Sequence, residues 1–137
     1  MRIAFAADDE NATTEAVLAY LAEAGHEVIM PARGESWPRL GAAVGRAVVT
    51  GDATFGIVMC WTGTGTAIAA NKVPGVRAAL AWEAWIAEGA RKWNDANVLA
   101  MSLKRLAPAV AVEVTRAFLA EENGPDPDEA GNIGQLD

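Results

Sequence analysis

Short runs of strand-forming apolar residues alternate along the chain with longer stretches in which apolar side chains recur every three or four positions. Residues 2–7 (Arg-Ile-Ala-Phe-Ala-Ala) predict a first strand, and residues 11–24, with Val17, Leu18 and Leu21 on one face, predict a helix. Asn11 stands where that helix needs an N-cap, and Gly25 where it needs a stop. Residues 26–30 predict a second strand. After the turn-rich stretch 31–36, residues 38–50 carry Leu40, Val44 and Val48 at helical spacing. A strand over 55–60, a short helix over 67–71, a strand over 76–81, a helix over 82–93, a strand over 97–101 and a closing helix over 107–121 complete the pattern. Five strands alternating with helices predict a parallel sheet covered on both faces. Right-handed crossovers make this a doubly wound, three-layer α/β/α sandwich. Ligands bind such sheets at the carboxyl ends of the strands, near the switch point. Asp8, Asp9, Cys60 and the turn after it all fall on that edge.

A chain of 137 residues is long enough for one domain with a proper core and too short for two ordinary ones. Residues 1–121 are expected to form it. Residues 122–137 differ in character: Pro125, Pro127, glycines and several acids predict an extended arm or a frayed terminus. A hydrophobic fraction of 52% excludes a disordered chain. No apolar run approaches the roughly 20 residues that cross a bilayer, and the N-terminus enters a strand directly, so no signal peptide is expected. With a single cysteine there is no internal disulfide. Together these features predict a soluble, cytoplasmic protein with no membrane partner. A net charge of −7 and the lack of a basic stripe argue against nucleic acid. The same acidity asks any phosphorylated ligand to find local positive charge.

Candidate chemistry centres on Cys60, which ends a strand-forming run and precedes Trp61-Thr62-Gly63-Thr64-Gly65-Thr66. A glycine-rich turn feeding a helix N-terminus can aim several backbone N–H groups at one oxyanion. A thiol facing that pocket can serve as base or nucleophile. The plain alternatives are a buried cysteine behaving as a small hydrophobe and a tight strand-to-helix connection. The turn is neither a dinucleotide fingerprint nor a Walker loop. Asp8 and Asp9 fit proton transfer or the gripping of sugar hydroxyls, and equally fit capping of the next helix. No zinc-ligand spacing occurs, and too few ligands are in view for a divalent metal. Of five tryptophans, Trp82 and Trp85 read as packing residues. Trp61, inside the turn, either walls the pocket or leaves it.

The stretch Cys60-Trp-Thr-Gly-Thr-Gly-Thr-Ala-Ile-Ala-Ala-Asn-Lys72, followed by Val73-Pro74-Gly75-Val76-Arg77-Ala78, resembles the signature of the ribose-5-phosphate isomerase B and galactose-6-phosphate isomerase family. Asn94-Asp95-Ala96-Asn97-Val98-Leu99 is similar to a second family segment, and Ile3-Ala4-Phe5 leading to Asp8 to its opening strand. The resemblance spans about residues 2–121. It implies a Rossmann-like fold, homodimers whose active sites lie between subunits, with pairing into tetramers left open, and metal-free interconversion of aldose and ketose phosphates without a cofactor. By position it implies Cys60 as the base moving a proton between C1 and C2. It gives Gly63, Thr64, Gly65 and Thr66 the enediolate oxygen, and Thr62, Asp8 and Asn94 contacts to substrate oxygens.

Several positions depart from the pattern. Asp9 replaces a phosphate-binding imidazole, and Trp93 replaces a ring-opening histidine, with no proton to accept or give at neutral pH. Lys104 or Arg105 stands for the arginine after strand five, Trp37 for a tyrosine, Trp61 for the first loop glycine, and acids for the basic tail. All of these handle phosphate or ring opening, whereas the proton-transfer groups persist. The expectation is therefore an aldose–ketose isomerase acting through a cis-enediolate on a sugar with an altered distal group, whose phosphorylation is left open, with Asp9, Trp61, Trp93 and Lys104 added to the substrate contacts. An ordinary ribose-5-phosphate isomerase and a non-catalytic sugar-binding homologue are the competing expectations.

Overall fold

A computed structural model describes residues 1–136. Five parallel strands, β1 (Arg2–Ala7), β2 (Glu27–Ile29), β3 (Phe55–Cys60), β4 (Ala78–Leu80) and β5 (Val98–Ser102), form one sheet in the order β2-β1-β3-β5-β4. Helices α1 (Ala12–Glu23), α2 (Trp37–Val49), α3 (Thr64–Asn71), α4 (Ala84–Asn94) and α5 (Pro108–Leu119) connect and cover it. The three-layer α/β/α architecture is the one expected.

Alternation along the strands sorts the core into two layers. Ile3, Phe5, Ile57, Met59, Leu99 and Met101 pack with Val17 and Leu21 of α1, Ala87 and Ala90 of α4, and Val114 and Phe118 of α5. Their neighbours Ala4, Ala6, Val58, Val98 and Ala100 face the other way, against Leu40 and Val44 of α2 and Ala67 and Ala70 of α3. Small residues dominate this second layer, so α3 can approach α2 closely. A Cβ on Gly41 of α2 would stand 2.7 Å from the Thr66 carbonyl oxygen and 2.8 Å from Ala69 Cβ. That contact seats α3 against α2.

Several element boundaries differ from the sequence expectation, among them those of β4, β2 and α3. β4 covers Ala78–Leu80 rather than 76–81, because Val76 is bonded back to the Val73 carbonyl (3.1 Å) and the Arg77 N–H is taken by the Asn97 side chain (2.8 Å). β2 shortens to Glu27–Ile29, since the His26 N–H donates to Leu21 of the preceding helix (2.9 Å). α3 starts at Thr64 rather than 67, which moves Gly65 and Thr66 out of the loop and into the helix's first turn.

The tail is a further difference. The described residues beyond α5 form 3-10 turns over Glu121–Asn123 and Pro127–Glu129 and a short helix, α6 (Ala130–Ile133), instead of an extended arm. Asn123 is buried and donates to the Ala117 carbonyl (2.7 Å). The Asp126 N–H donates to Lys92 (2.7 Å), one of the carbonyls that the end of α4 leaves without a helical partner.

Candidate active site

Strands β1 and β3 lie side by side, yet their connections run to opposite sides of the sheet, which opens a crevice at their carboxyl ends. Asp8 follows β1 there, its N–H donating to the Met59 carbonyl (3.1 Å), and Cys60 ends β3. Asp8, Trp37, Cys60, Trp61, Thr62, Thr64 and Gly65 line a pocket of about 280 Å³. The chemistry-bearing residues of three chain segments thus meet at one place.

Gly63 makes the turn. Its φ of +80° is a left-handed conformation that glycine adopts freely, and a Cβ there would lie 2.6 Å from Leu80 Cδ1 and 2.8 Å from the Met101 carbonyl carbon. The loop is therefore pressed onto the ends of β4 and β5. It is also pinned from the segment after β5: Leu103 N–H donates to Cys60 (2.9 Å), and the Trp61 carbonyl accepts from Ser102 Oγ (2.8 Å) and Lys104 N–H (3.2 Å). With Gly63 as N-cap, the N–H groups of Thr64, Gly65 and Thr66 open the helix and have no helical carbonyl to donate to. They and the helix dipole favour negative charge at the mouth of the pocket.

The Cys60 thiol is buried, and the Thr66 hydroxyl, itself fully buried, donates to Sγ at 3.4 Å. This bond fixes where the sulfur points. The Thr62 and Thr64 hydroxyls share a hydrogen bond of 2.7 Å at the pocket wall. Partial burial pushes the Asp8 carboxyl above its ordinary value, and the negative charge of Asp9 beside it adds to the rise.

A second pocket of about 530 Å³ adjoins the first through Trp61 and Thr62 and is otherwise lined by Leu80, Ala81, Trp82, Ser102, Lys104 and Arg105. Lys104 Nζ stands 5.2 Å from the centre of the Trp61 ring. Lys104 therefore belongs to this pocket and not to that of Cys60.

The remaining expected residues lie elsewhere. Asp9 is exposed, accepts from the Glu10 N–H (2.8 Å) and does not line the pocket. Gly63 and Thr66 act from beneath it. Trp93 and Asn94 are at the end of α4, which leads into the amino end of β5, so within one chain they face the opposite edge of the sheet from Cys60. Asn94 lines a different pocket there, with Asn71, Arg77 and Leu136. His26, the only histidine, is also on that edge, its Nδ1 3.2 Å from the terminal amine. Trp37, expected only as the counterpart of a family tyrosine and not as a substrate contact, lines the Cys60 pocket. Its ring covers Gly65, where a Cβ would be 3.0–3.2 Å from ring atoms. The signal for it was the Trp37-Pro38 pair, which begins a helix on the carboxyl edge. Among the described residues, no three His, Cys, Asp or Glu side chains cluster as a metal site requires.

A profile described as "Ribose/Galactose Isomerase" matches residues 3–135. The chain belongs to the ribose/galactose isomerase family. Among its relatives in this family, YwlF of Bacillus subtilis is 40% identical over 86 residues, 63% of this chain and 58% of that protein. The match therefore spans less than two thirds of YwlF. The ribose-5-phosphate isomerase B of Escherichia coli is 36% identical over 110 residues, covering 77% of this chain and 74% of that one. The structure of Clostridium thermocellum ribose-5-phosphate isomerase B superposes with a TM-score of 0.87 at 29% identity, covering 99% of this chain and 95% of that one.

Two asparagines of the segments that carried the family resemblance are structural in this chain. The Asn71 side chain accepts from Ala78 N–H (2.7 Å) and donates to Ala78 O (2.9 Å), closing the free edge of β4. Asn97 holds the turn before β4 through Gly75 O and Arg77 N–H.

Proposed function

We propose that this chain is an aldose–ketose isomerase that moves a proton between C1 and C2 of a sugar through a cis-enediolate, with Cys60 as base. The observation that carries the reading is the Cys60 thiol at the wall of a pocket it shares with Asp8, Thr62 and Thr64, under the open first turn of α3. In the aldose-to-ketose direction, the sulfur as thiolate takes the C2 proton. The C–H electron pair forms the C1=C2 bond, and the carbonyl pair moves onto O1. The N–H groups of Gly65 and Thr66 receive the developing charge. The Thr62–Thr64 hydroxyl pair relays a proton from O2 to O1, and return of the proton from sulfur to C1 leaves a carbonyl at C2. Asp8 accepts from substrate hydroxyls.

The pocket favours a sugar without a charged distal group, because among the described residues its lining holds the Asp8 carboxylate, two aromatic walls in Trp37 and Trp61, and no cation. A second reading, a phosphorylated sugar, is favoured by the adjoining pocket with Lys104 and Arg105 and by relatives whose names specify ribose 5-phosphate. The proposal includes a homodimer. It is supported by the position of Trp93 and Asn94 at the far edge, away from the Cys60 pocket of their own chain, and by five half-exposed tryptophans.

Deuterium uptake from heavy water at C1 or C2, followed by NMR across ribose 5-phosphate and a panel of unphosphorylated aldoses and ketoses, tests the function. Uptake confined to neutral sugars is the expected result. Uptake on ribose 5-phosphate supports the second reading, and silence across the panel favours a sugar-binding homologue without catalysis.

A further inference from the structure

Trp61 stands between two pockets of different charge. Asp8, Trp37 and Cys60 line only the smaller one, Lys104 and Arg105 only the larger, and Trp61 and Thr62 line both. The backbone of Trp61 is held at this boundary by the bonds its carbonyl accepts from Ser102 and Lys104. Trp61 is 54% exposed. On that ring rests the Lys104 ammonium, 5.2 Å from the centroid, within the range at which the aromatic quadrupole attracts a cation. A flexible cation of the larger pocket is thus engaged on the ring, while the Cys60 pocket keeps a carboxylate.

We infer that Trp61 is the specificity-determining residue of the site, a partition that holds the Lys104 charge apart from the Cys60 pocket and selects a sugar with an uncharged distal end. This rests on the isomerase reading above and deepens it. Without the ring, Thr62 alone separates the two pockets, and Lys104 loses the surface that holds it. Its four-carbon stem then lets the ammonium reach an anion bound beside Cys60. A charge-assisted hydrogen bond of this kind changes affinity by about tenfold or more.

The test compares the native protein with Trp61→Gly, Trp61→Phe and the double variant Trp61→Gly/Lys104→Met. Trp61→Ala is carried in parallel in case the glycine loosens the loop, and thermal unfolding checks every variant. Two readouts are taken: affinity for inorganic phosphate by 31P NMR titration, and the kcat/KM ratio for a phosphorylated sugar against its unphosphorylated counterpart. Trp61→Gly is expected to raise both by about tenfold, Lys104→Met to cancel the gain, and Trp61→Phe to behave as native. A folded Trp61→Gly and Trp61→Ala with unchanged phosphate affinity, or a gain that survives Lys104→Met, overturns the partition. If the native protein turns over no sugar, the isomerase reading fails, and the phosphate titration still decides the role of Trp61.

Discussion

Cys60 owes its position to the apolar run before it and its orientation to Thr66 behind it. The hydroxyl of Thr66 has two partners, Cys60 Sγ and the Gly63 carbonyl, both at 3.4 Å, so one buried side chain ties the sulfur to the turn. Thr66→Val keeps the shape and removes the donor. It is expected to lower kcat by about tenfold or more with KM nearly unchanged, whereas Thr66→Ser keeps the rate. A fall in the serine variant as large as in valine would mean that Thr66 serves packing instead.

Asp8 has a pH signature. Its folded pKa lies above the unfolded value of 3.8, so the native state holds this proton more readily than the unfolded chain. The stability Asp8 lends in acid is accordingly lost as pH rises through the folded pKa. Asp8→Asn should therefore unfold at a slightly higher temperature than native at neutral pH. That advantage should vanish below the unfolded value, where the native carboxyl is protonated in both states. The acid limb of kcat/KM should lie above the ordinary aspartate value in the native protein and be absent from Asp8→Asn. An unchanged limb in that variant would remove Asp8 from substrate binding.

Among the elements, the loop and α3 work as one unit. Gly63→Ala puts a Cβ into Leu80 and Met101 at a left-handed φ, and should cost about 1–3 kcal/mol or more in denaturant unfolding together with most activity. Asn71→Ala removes both bonds to Ala78 and should cost about 1–3 kcal/mol, with less effect on rate because β4 carries no pocket-lining side chain on the Cys60 side. Element order, the three-layer architecture and the Cys60 turn were legible in the chain because strand alternation and helical spacing are local signals. The ends of β2 and β4 were not, since side chains distant in sequence, such as Asn97, take up their backbone groups. Nor was the fold of the tail. Its prolines and acids read as extended chain, while the partner that orders it is a helix end 34 residues away at Lys92.

The whole molecule carries a charge of −7, which repels anionic substrates at long range. Salt screens that repulsion over about 8–10 Å at 0.1–0.15 M. The kcat/KM for a phosphorylated sugar should therefore rise as salt is added, and that for a neutral sugar stay level. The opposite trend, a fall with salt, would point to attraction by a concentrated basic site. Trp93 and Asn94 show where sequence likeness outruns a single chain: the motif names residues of one site, and the fold sends these two to the far edge. Sedimentation of the full chain is expected to give a dimer. A monomer that still turns over sugar would exclude the two from the site.

The most direct measurement is solvent deuterium exchange at C1 and C2 of a sugar that the protein turns over, with native and Cys60→Ala protein compared side by side by NMR. Removal of the proposed base should slow exchange by about 10²–10⁴-fold while thermal unfolding stays near that of the native protein. Exchange that continues at the native rate in a folded Cys60→Ala would contradict the assignment of Cys60 as the base.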